Sequence, residues 1–178
     1  RVKQNVKDLT DIEIIEHYNL IDKGKLTNLG VLWLGTASQR SRLVYPLTVQ
    51  YIVYDDLEKK VRKEDWQDYS KNPKELLLEI EKEAIELTYY DEFPLGLFRN
   101  KIRHYDARLI RELLINAIAH KSYTISGDIF IKVYQDRLEI TNPGGLPLGI
   151  TKDNILHTTY RRNPHLIRIL HDLKLMEG

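Results

Sequence analysis

The sequence predicts an α+β fold. Three features predict it: an alternating apolar segment at 45–56, helical apolar spacing at about 73–88 and 106–120, and two alternating segments on either side of Gln135 and Asp136. Alternation with a period of two is typical of strands, and apolar residues three and four positions apart are typical of helices. Strands and helices therefore occur together along the chain.

Size and composition narrow the classes of protein. The 178 residues fit one domain or two small ones, and an apolar fraction of 42% is ample for a packed core. The 27 Lys and Arg residues balance 26 Asp and Glu, so the net charge of +1 gives no global signal for nucleic-acid binding. The absence of cysteine excludes disulfides, thiolate metal sites and cysteine nucleophiles.

The sequence carries no membrane or secretion signal. No apolar run approaches the roughly 20 residues that span a bilayer. The first residues, RVKQNVKDL, lack the apolar core of a signal peptide. We therefore expect a cytoplasmic protein with no membrane partner. Because position 1 is not Met, we also expect the chain to be a piece of a longer protein.

The N-terminal region predicts two short helices. Thr10 and Glu13 form a capping box for the first, and Thr27 caps the apolar segment LTNLGVLWLG after a turn at 22–25. A helix–turn–helix that reads DNA is one interpretation. The second segment has no basic or amide face for a groove, so two small packing helices are the preferred interpretation.

The middle of the chain predicts a strand, a loop and a helix. The strand at 45–56 is followed by a charged loop and by the helix at 73–88, for which Pro73 suits the first turn. Residues 91–106 contain Pro and Gly and predict an irregular connection. The change in character near residue 90 predicts a boundary there.

The second half predicts a helix, a hairpin, a loop and two further helices. These are a helix at 106–120, a hairpin within 127–145, a glycine–proline loop at 142–149, a short helix near 151–156 and another helix within 163–175. The domains are accordingly an N-terminal α+β linking portion at 1–90 and a second domain at 91–178.

The helix at 106–120 carries three polar residues four positions apart. Glu112, Asn116 and His120 form one line, and with Leu113 at the centre of the buried face this line borders the core. Half-buried polar groups need partners. Those partners are either nearby backbone groups, at the edge of an ordinary core, or a metal ion and phosphate oxygens in a pocket.

The loop NPGGLPLG adds a second polar feature. Gly144 and Gly145 have no side chains, so a ligand can approach their backbone N–H groups closely, and Asn142 before them offers one acceptor and two donors. Asn-Pro-Gly-Gly alone is a common turn. The ordered combination of Glu-x-x-x-Asn on a helix, a hairpin and Asn-x-Gly-Gly favours a pocket.

Three segments resemble a known family. YDARLIRELLINAIAHKSY, GDIFIKVYQDRLEITNPGGLPLGIT and RRNPHLIRIL resemble the ATPase-like domain of bacterial proteins described as RecG-like ATP-dependent DNA helicases or transcriptional regulators. Those proteins often begin with a Schlafen/AlbA-type DNA-binding domain. The segment GKLTNLGVLWLG is similar to their linking region. The resemblance runs from about residue 9 and is densest over 105–170.

The resemblance implies a GHKL-like fold for 91–178. This is the Bergerat fold of gyrase, histidine kinases and mismatch-repair MutL, a two-layer α/β sandwich with a mixed sheet that holds ATP and Mg²⁺ between a helix and the sheet. In catalytic members the residue matching Glu112 is the general base that activates water, and the residue matching Asn116 coordinates Mg²⁺. These roles suit the chemistry, since Mg²⁺ prefers oxygen ligands. His120 falls at the variable end of the motif and is assigned to the pocket edge.

The sequence departs from the superfamily pattern in two places. Asn142 stands where the superfamily has an Asp that binds the adenine amino group, and an amide carbonyl accepts the same hydrogen bond without the charge. The glycine-rich lid is not visible, and we expect the chain to be truncated about where it would begin. We therefore expect no hydrolysis by this chain, and at most a weak ATPase in the full-length protein.

Two arginines precede the last helix. Arg161 and Arg162 in TTYRRNPHLIR suit phosphate recognition, together with His165 and Arg168. The alternative is a solvated helix start with Asn163 as N-cap.

The most favoured function is an ATP-binding regulatory module of a bacterial transcriptional regulator. DNA is expected to bind through domains outside this chain, and a homodimer is compatible with the sequence. The alternative is a degenerate scaffold for dimerisation or protein contact. No P-loop motif supports a helicase motor.

Overall fold

The computed structural model describes residues 9–95, 98–154, 157–158 and 160–176. The helices are α1 (Asp11–His17), α2 (Asn28–Leu34), α3 (Ala37–Arg40), α4 (Pro73–Glu83), α5 (Ala107–His120) and α6 (Pro164–Asp172). The strands are β1 (Ile21–Asp22), β2 (Lys25–Leu26), β3 (Val49–Tyr54), β4 (Lys60–Trp66), β5 (Tyr90–Leu95), β6 (Phe98–Arg103), β7 (Ile129–Val133) and β8 (Leu138–Thr141). The predicted α+β class is confirmed.

The main sheet is mixed and has four strands in the order β4-β3-β7-β8. β3 pairs parallel with β7, from Val49 beside Ile129 to Val53 beside Val133, and the other two pairings are antiparallel. A parallel pair needs a long crossover connection, and here that connection contains α4 and α5. The predicted hairpin at 127–145 is confirmed as β7 and β8.

One hydrophobic core serves both halves of the chain. It contains residues of β3, α4, α5, β7 and α6, with Tyr51, Ile131 and Leu170 fully buried. The boundary predicted at residue 90 falls between strands that share one sheet. The sheet and core therefore cross it, because β3 and β4 of the N-terminal portion complete the sheet that β7 and β8 begin.

The predicted helix caps of the N-terminal region are present. Thr10 and Glu13 form the capping box of α1, and the Thr27 side chain accepts from Gly30 N–H at the start of α2. The turn predicted at 22–25 joins β1 to β2 as a short antiparallel pair. These helices are small packing elements that lead into the sheet.

Two segments predicted as loops are strands. The charged segment after β3 is the edge strand β4, whose side chains are mostly exposed up to buried Trp66. An edge strand tolerates charges along its length. The segment therefore lacks the apolar alternation by which a strand is predicted from sequence. The irregular connection predicted at 91–106 is instead the β5–β6 hairpin, in which Pro94 pairs with Arg99. Pro is compatible with a two-stranded edge pair.

Two predicted helices are shorter or lie elsewhere. α4 ends at Glu83 and a 3-10 turn follows at Ile85–Thr88, although Pro73 occupies the first turn as predicted. The short helix predicted near 151–156 is a turn over 152–154. Residues 155 and 156 of that prediction lie outside the described residues.

Candidate functional site

Helix α5 carries the predicted polar line. Its first turn is capped by Asp106, whose side chain accepts from the Arg108 and Leu109 N–H groups. The prediction that Leu113 centres the buried face is wrong, because Leu113 is 37% exposed whereas Leu114 is 5% exposed. At about 100° per residue, Asn116 then lies about 160° from Leu114. The polar line therefore points away from the centre of the core.

The polar line opens into a cleft. Its volume is about 950 Å³, a size typical of ligand pockets. Residues of α5, the glycine–proline loop and the segment before α6 line it. They are Glu112, Asn116, His120, Asn142, Gly144, Gly145, Leu146, Pro147, Ile150, Thr158, Tyr160 and Arg162. Among the predicted site residues, Arg161, His165 and Arg168 are not part of this lining.

The Asn142 side chain has a buried atom without a partner. Its Oδ1 is shielded from solvent and accepts no hydrogen bond. Asn142 directly follows β8 and lines the cleft. A buried acceptor without a partner costs free energy.

Arg162 ties the glycine loop to the end of α5. One Nη donates to the Gly145 carbonyl oxygen at 2.6 Å, and the other donates to the His120 carbonyl oxygen at 3.3 Å. The neighbouring Asn163 side chain donates to the carbonyl oxygens of Ala119 and Lys121, both at 2.8 Å. Asn163 thus begins α6 but satisfies the C-terminal carbonyls of α5, so its side chain does not cap α6 as predicted.

The other predicted cations lie away from the cleft. Arg161 is exposed, His165 Nδ1 lies 3.1 Å from the Asn19 Nδ2, and Arg168 contacts His17. Of the basic residues in this segment, only Arg162 faces the cleft among the residues that the structure describes. A phosphate-recognition role is therefore compatible with Arg162 alone.

His120 is held in its neutral form. Burial, with a smaller contribution from the Arg162 guanidinium, lowers the pKa of His120 below its ordinary value of 6.5. Both effects penalise the imidazolium cation. At neutral pH His120 therefore offers the cleft one donor and one acceptor.

The neutral His120 makes folding stability depend on pH. Because the folded-state pKa is lower than the unfolded-state pKa, its contribution is present above pH 6.5 and is lost as pH falls through 6.5 toward the folded-state pKa. We expect the wild type to lose more free energy of unfolding between pH 7.5 and pH 5 than His120→Gln does. Urea denaturation at each pH measures this. Equal losses in the two proteins would contradict a depressed pKa at His120.

The two glycines of the loop differ in their surroundings. Gly144 has φ +98°, and an added Cβ would lie 3.2 Å from the Ser122 Cβ and 3.3 Å from the Ile125 Cδ1. An added Cβ on Gly145 would meet nothing within 4 Å. Gly144 is therefore required by the backbone, whereas Gly145 leaves space open to the cleft.

This difference predicts opposite phenotypes for two alanine substitutions. Gly144→Ala should lower the free energy of unfolding by about 1 to 2 kcal/mol, since it places a side chain at a strained φ. Gly145→Ala should change it by about 0.5 kcal/mol or less but weaken ligand binding, because its Cβ occupies the approach to the backbone. Urea denaturation and ligand-induced thermal shifts separate the two effects. Destabilisation of Gly145→Ala to the level of Gly144→Ala would contradict this account.

Sequence reasoning missed part of the cleft wall. Thr158 and Ile150 carry no sequence signal for a site, whereas Tyr160, one of 11 tyrosines, is a weak sequence candidate for stacking on a base. A second recess of about 340 Å³ adjoins Glu112 and Asn116 and is bordered by Lys174. The polar line of α5 therefore faces two adjoining spaces.

The described residues contain neither a side-chain cluster suited to a metal ion nor a helix suited to crossing a membrane. Within the described ranges, no group of three or more His, Cys, Asp or Glu side chains is arranged to hold a metal ion. None of the helices in the described part of the chain has both the length and the apolar character to cross a membrane.

Comparison with known proteins identifies similarity in the C-terminal part. Residues 127–178 match the family described as putative ATP-dependent DNA helicase recG C-terminal. No curated protein matches the chain. The matched range contains the hairpin, the glycine loop and α6, which supply one side of the cleft.

The fold also occurs in a solved structure. The chain resembles the crystal structure of the DIP2311 protein from Corynebacterium diphtheriae with a TM-score of 0.76 and 22% identity, over 96% of this chain and 34% of that one. The chain thus spans about a third of that protein's length, and at this identity the likeness shows the fold alone. The resemblance to the RecG-like, GHKL-like ATPase-related family is confirmed over residues 127–178.

Proposed function

We propose that this chain is a nucleotide-binding regulatory module that holds ATP with Mg²⁺ between α5 and the loop at 142–149. The observation that carries the proposal is the cleft of about 950 Å³ in which Asn116, Asn142 and Arg162 converge. The family match over residues 127–178 supports the same class of ligand. A nucleotide needs both polar and apolar contacts, and the cleft offers both.

The residues present fit a base and a phosphate chain. Asn142 lines the cleft and is the candidate contact to the edge of a base. Apolar side chains of the loop, Leu146 and Pro147, border the same cleft and suit a flat ring. Arg162 and the open backbone at Gly145 suit the phosphate oxygens, because a guanidinium binds phosphate through two parallel hydrogen bonds.

Asn116 is the candidate ligand for the metal ion. Asn116 is half-buried on α5 and lines the cleft. Mg²⁺ commonly takes only one or two ligands from protein and the rest from phosphate and water. Bound there, the ion would neutralise phosphate charge. Glu112, one helical turn away and exposed, would accept a proton from a water molecule beside the phosphates.

A regulatory role follows from the position of Arg162. In the structure its guanidinium holds the Gly145 and His120 carbonyl oxygens. A phosphate group competes for the same donors, so binding would exchange these contacts and shift the loop relative to α5. DNA binding and transcriptional regulation would then belong to domains outside this chain that respond to that shift. We propose no turnover by this chain itself and at most weak ATPase activity in a longer protein.

The direct test is ligand-induced stabilisation. A site occupied at 100 times its dissociation constant adds about 2.7 kcal/mol to the free energy of unfolding. We expect a clear rise in melting temperature with millimolar Mg-ATP, and a smaller rise with ATP and EDTA. No shift with millimolar Mg-ATP would reject the nucleotide site.

A second candidate function is a scaffold for dimerisation or protein contact. The observation that favours it is an exposed apolar strip on α5, where Leu109 is 52% exposed and Leu113 is 37% exposed. These residues are one turn apart and lie outside the cleft. A dimer in sedimentation analysis that Leu113→Glu dissociates, together with no nucleotide response, would support the scaffold.

A further inference from the structure

A second groove lies between α4 and α5 and has a volume of about 210 Å³. Its lining residues are Lys74, Leu77, Leu78, Glu81, Leu87, Thr88, Arg103, Ala107, Ile110, Arg111, Leu114, Ile115 and Leu175. None of them lines the cleft at the glycine loop. Leu114 in this groove lies about 160° around α5 from Asn116 in the cleft. The groove is therefore a separate space on another side of the same helix.

The floor of the groove is apolar and belongs to the hydrophobic core. The floor residues, each 9% exposed or less, are Leu77, Leu87, Ile110, Leu114 and Ile115. Leu78 at the rim is 55% exposed, so a large apolar side chain stands in water beside this floor. Apolar surface with a polar rim is typical of interaction sites.

Three of the four ionic side chains that line the groove are cations. Lys74, Arg103 and Arg111 are exposed, and Glu81 is the anion. Arg111 donates a hydrogen bond to the Lys174 carbonyl oxygen at 3.1 Å, which leaves its positive charge without a counter-charge. Within the described ranges, none of the three cations lies at ion-pair distance from a carboxylate. The rim therefore carries positive charge that the fold does not neutralise.

Cations on other surfaces have carboxylate partners. Lys71 lies 2.9 Å from Glu79, and Arg62 lies 3.2 Å from Glu86. The whole chain has 27 Lys and Arg against 26 Asp and Glu, so the excess of cations at the groove is local. Complementary charge steers a partner to such a surface and selects against partners of the same sign.

The lining also favours one class of partner. Nucleic acid without base pairing binds cationic grooves in which aromatic side chains stack on the bases, and the lining of this groove contains no aromatic side chain. An amphipathic helix instead places apolar side chains at i, i+3, i+4 and i+7 into an apolar groove. Carboxylates beside those apolar positions would meet the cationic rim.

We propose that the groove between α4 and α5 binds an acidic amphipathic helix of a partner protein, whose carboxylates pair with Lys74, Arg103 and Arg111. The inference does not depend on the proposed nucleotide site. It also differs from the exposed strip at Leu109 and Leu113, because neither leucine lines the groove.

A synthetic helix tests the proposal directly. The probe is a peptide of about 18 residues with leucines at i, i+3, i+4 and i+7 and glutamates beside them, and a second peptide has lysine in place of every glutamate. We expect the acidic peptide to bind the 178-residue chain at least about tenfold tighter than the basic peptide in fluorescence anisotropy. Binding should weaken between about 0.1 M and 1 M salt, since the Debye length falls from about 10 Å to about 3 Å.

Variants assign the binding to this groove. The double variant Arg103→Glu and Arg111→Glu should reverse the preference and bind the basic peptide more tightly. Leu78→Ser should weaken the acidic peptide by about fivefold or more. Lys60→Glu and Leu57→Ser are the matched controls, since both residues are exposed and lie outside the groove, and they should bind as the wild type does. Melting temperatures show whether each variant is folded.

Four results would overturn the proposal. They are a dissociation constant for the acidic peptide above about 1 mM, equal binding of the acidic and basic peptides, and an unchanged preference in the folded double variant. The fourth is tighter binding of a double-stranded DNA oligonucleotide that the double variant abolishes, which would assign the cations to nucleic acid. Binding of Mg-ATP is measured separately and is not affected by these outcomes, because the groove and the cleft share no lining residue.

Discussion

We expect Asn116→Ala to remove the magnesium-dependent part of the proposed nucleotide binding and to leave the fold intact. Asn116 is half-buried in the middle of α5 and lines the main cleft and the recess beside it. Its side chain enters no hydrogen bond with the described part of the chain that the fold would lose. Alanine is also the strongest helix former, so α5 should be preserved.

The expected effect equals most of the ligand-induced stabilisation. If the wild type gains about 2.7 kcal/mol at 100 times its dissociation constant, Asn116→Ala should gain no more with Mg-ATP than with ATP and EDTA. Melting temperatures measured at matched ligand concentrations give both values. Asn116→Asp is the matched control, since it keeps an oxygen ligand of the same length and should retain the response to Mg²⁺.

Two results would contradict this role. An undiminished response of Asn116→Ala to Mg-ATP would show that the amide does not hold the ion. A fall in the melting temperature of ligand-free Asn116→Ala by many degrees would show that the amide supports the fold instead. The Asn116→Asp control distinguishes a lost ligand from a disturbed helix.

Several residues that line the cleft could be predicted because they carry local signals. The four-residue spacing of Glu112, Asn116 and His120 reports one line on a helix whatever the tertiary structure, and two adjacent glycines report an open backbone. What the spacing could not report is which side of α5 is buried. Leu113 and Leu114 are both leucine, and only packing against the sheet and the neighbouring helices exposes one and buries the other.

The two strands that the sequence predicted as loops share one physical cause. The β4 segment KVRKEDW is charged because an edge strand has one exposed face, and the β5–β6 hairpin contains Pro94 because it stands outside the main sheet. Edge position is a property of the assembled fold. The residue type of Arg162 suggested phosphate recognition. Its hydrogen bonds to the His120 and Gly145 carbonyl oxygens could not be predicted, because those residues are distant from it in sequence.

Gly30→Ala should cause the largest loss of stability among the substitutions considered. A Cβ on Gly30 would lie 1.9 Å from the Leu20 carbonyl oxygen, a backbone atom that also accepts from the Thr27 N–H at 3.0 Å. A flexible side chain could move away, but this carbonyl is fixed by the turn into α2. We expect a loss of about 3 kcal/mol in the free energy of unfolding, at the upper end for overpacking.

Urea denaturation measures the loss, and Leu34→Ala is the matched control. Leu34 lies on the same helix and is 52% exposed, so its truncation should cost about 1 kcal/mol or less. A Gly30→Ala protein as stable as the wild type would contradict the close approach of α2 to Leu20. Helix propensity alone would favour Gly30→Ala, since Ala is a better helix former than Gly by about 1 kcal/mol, so a loss reports the contact with Leu20.

Gly30→Ala also tests whether the N-terminal portion supports the cleft. Leu29 and Leu32 of α2 line a recess of about 290 Å³ whose opposite wall includes Arg162 and Asn163. Arg162 also lines the main cleft and holds the glycine loop. If Gly30→Ala displaces α2, the packing of Leu29 and Leu32 around the recess that Arg162 also lines changes. Its folded fraction should therefore bind Mg-ATP more weakly, whereas folded Leu34→Ala should bind it as the wild type does.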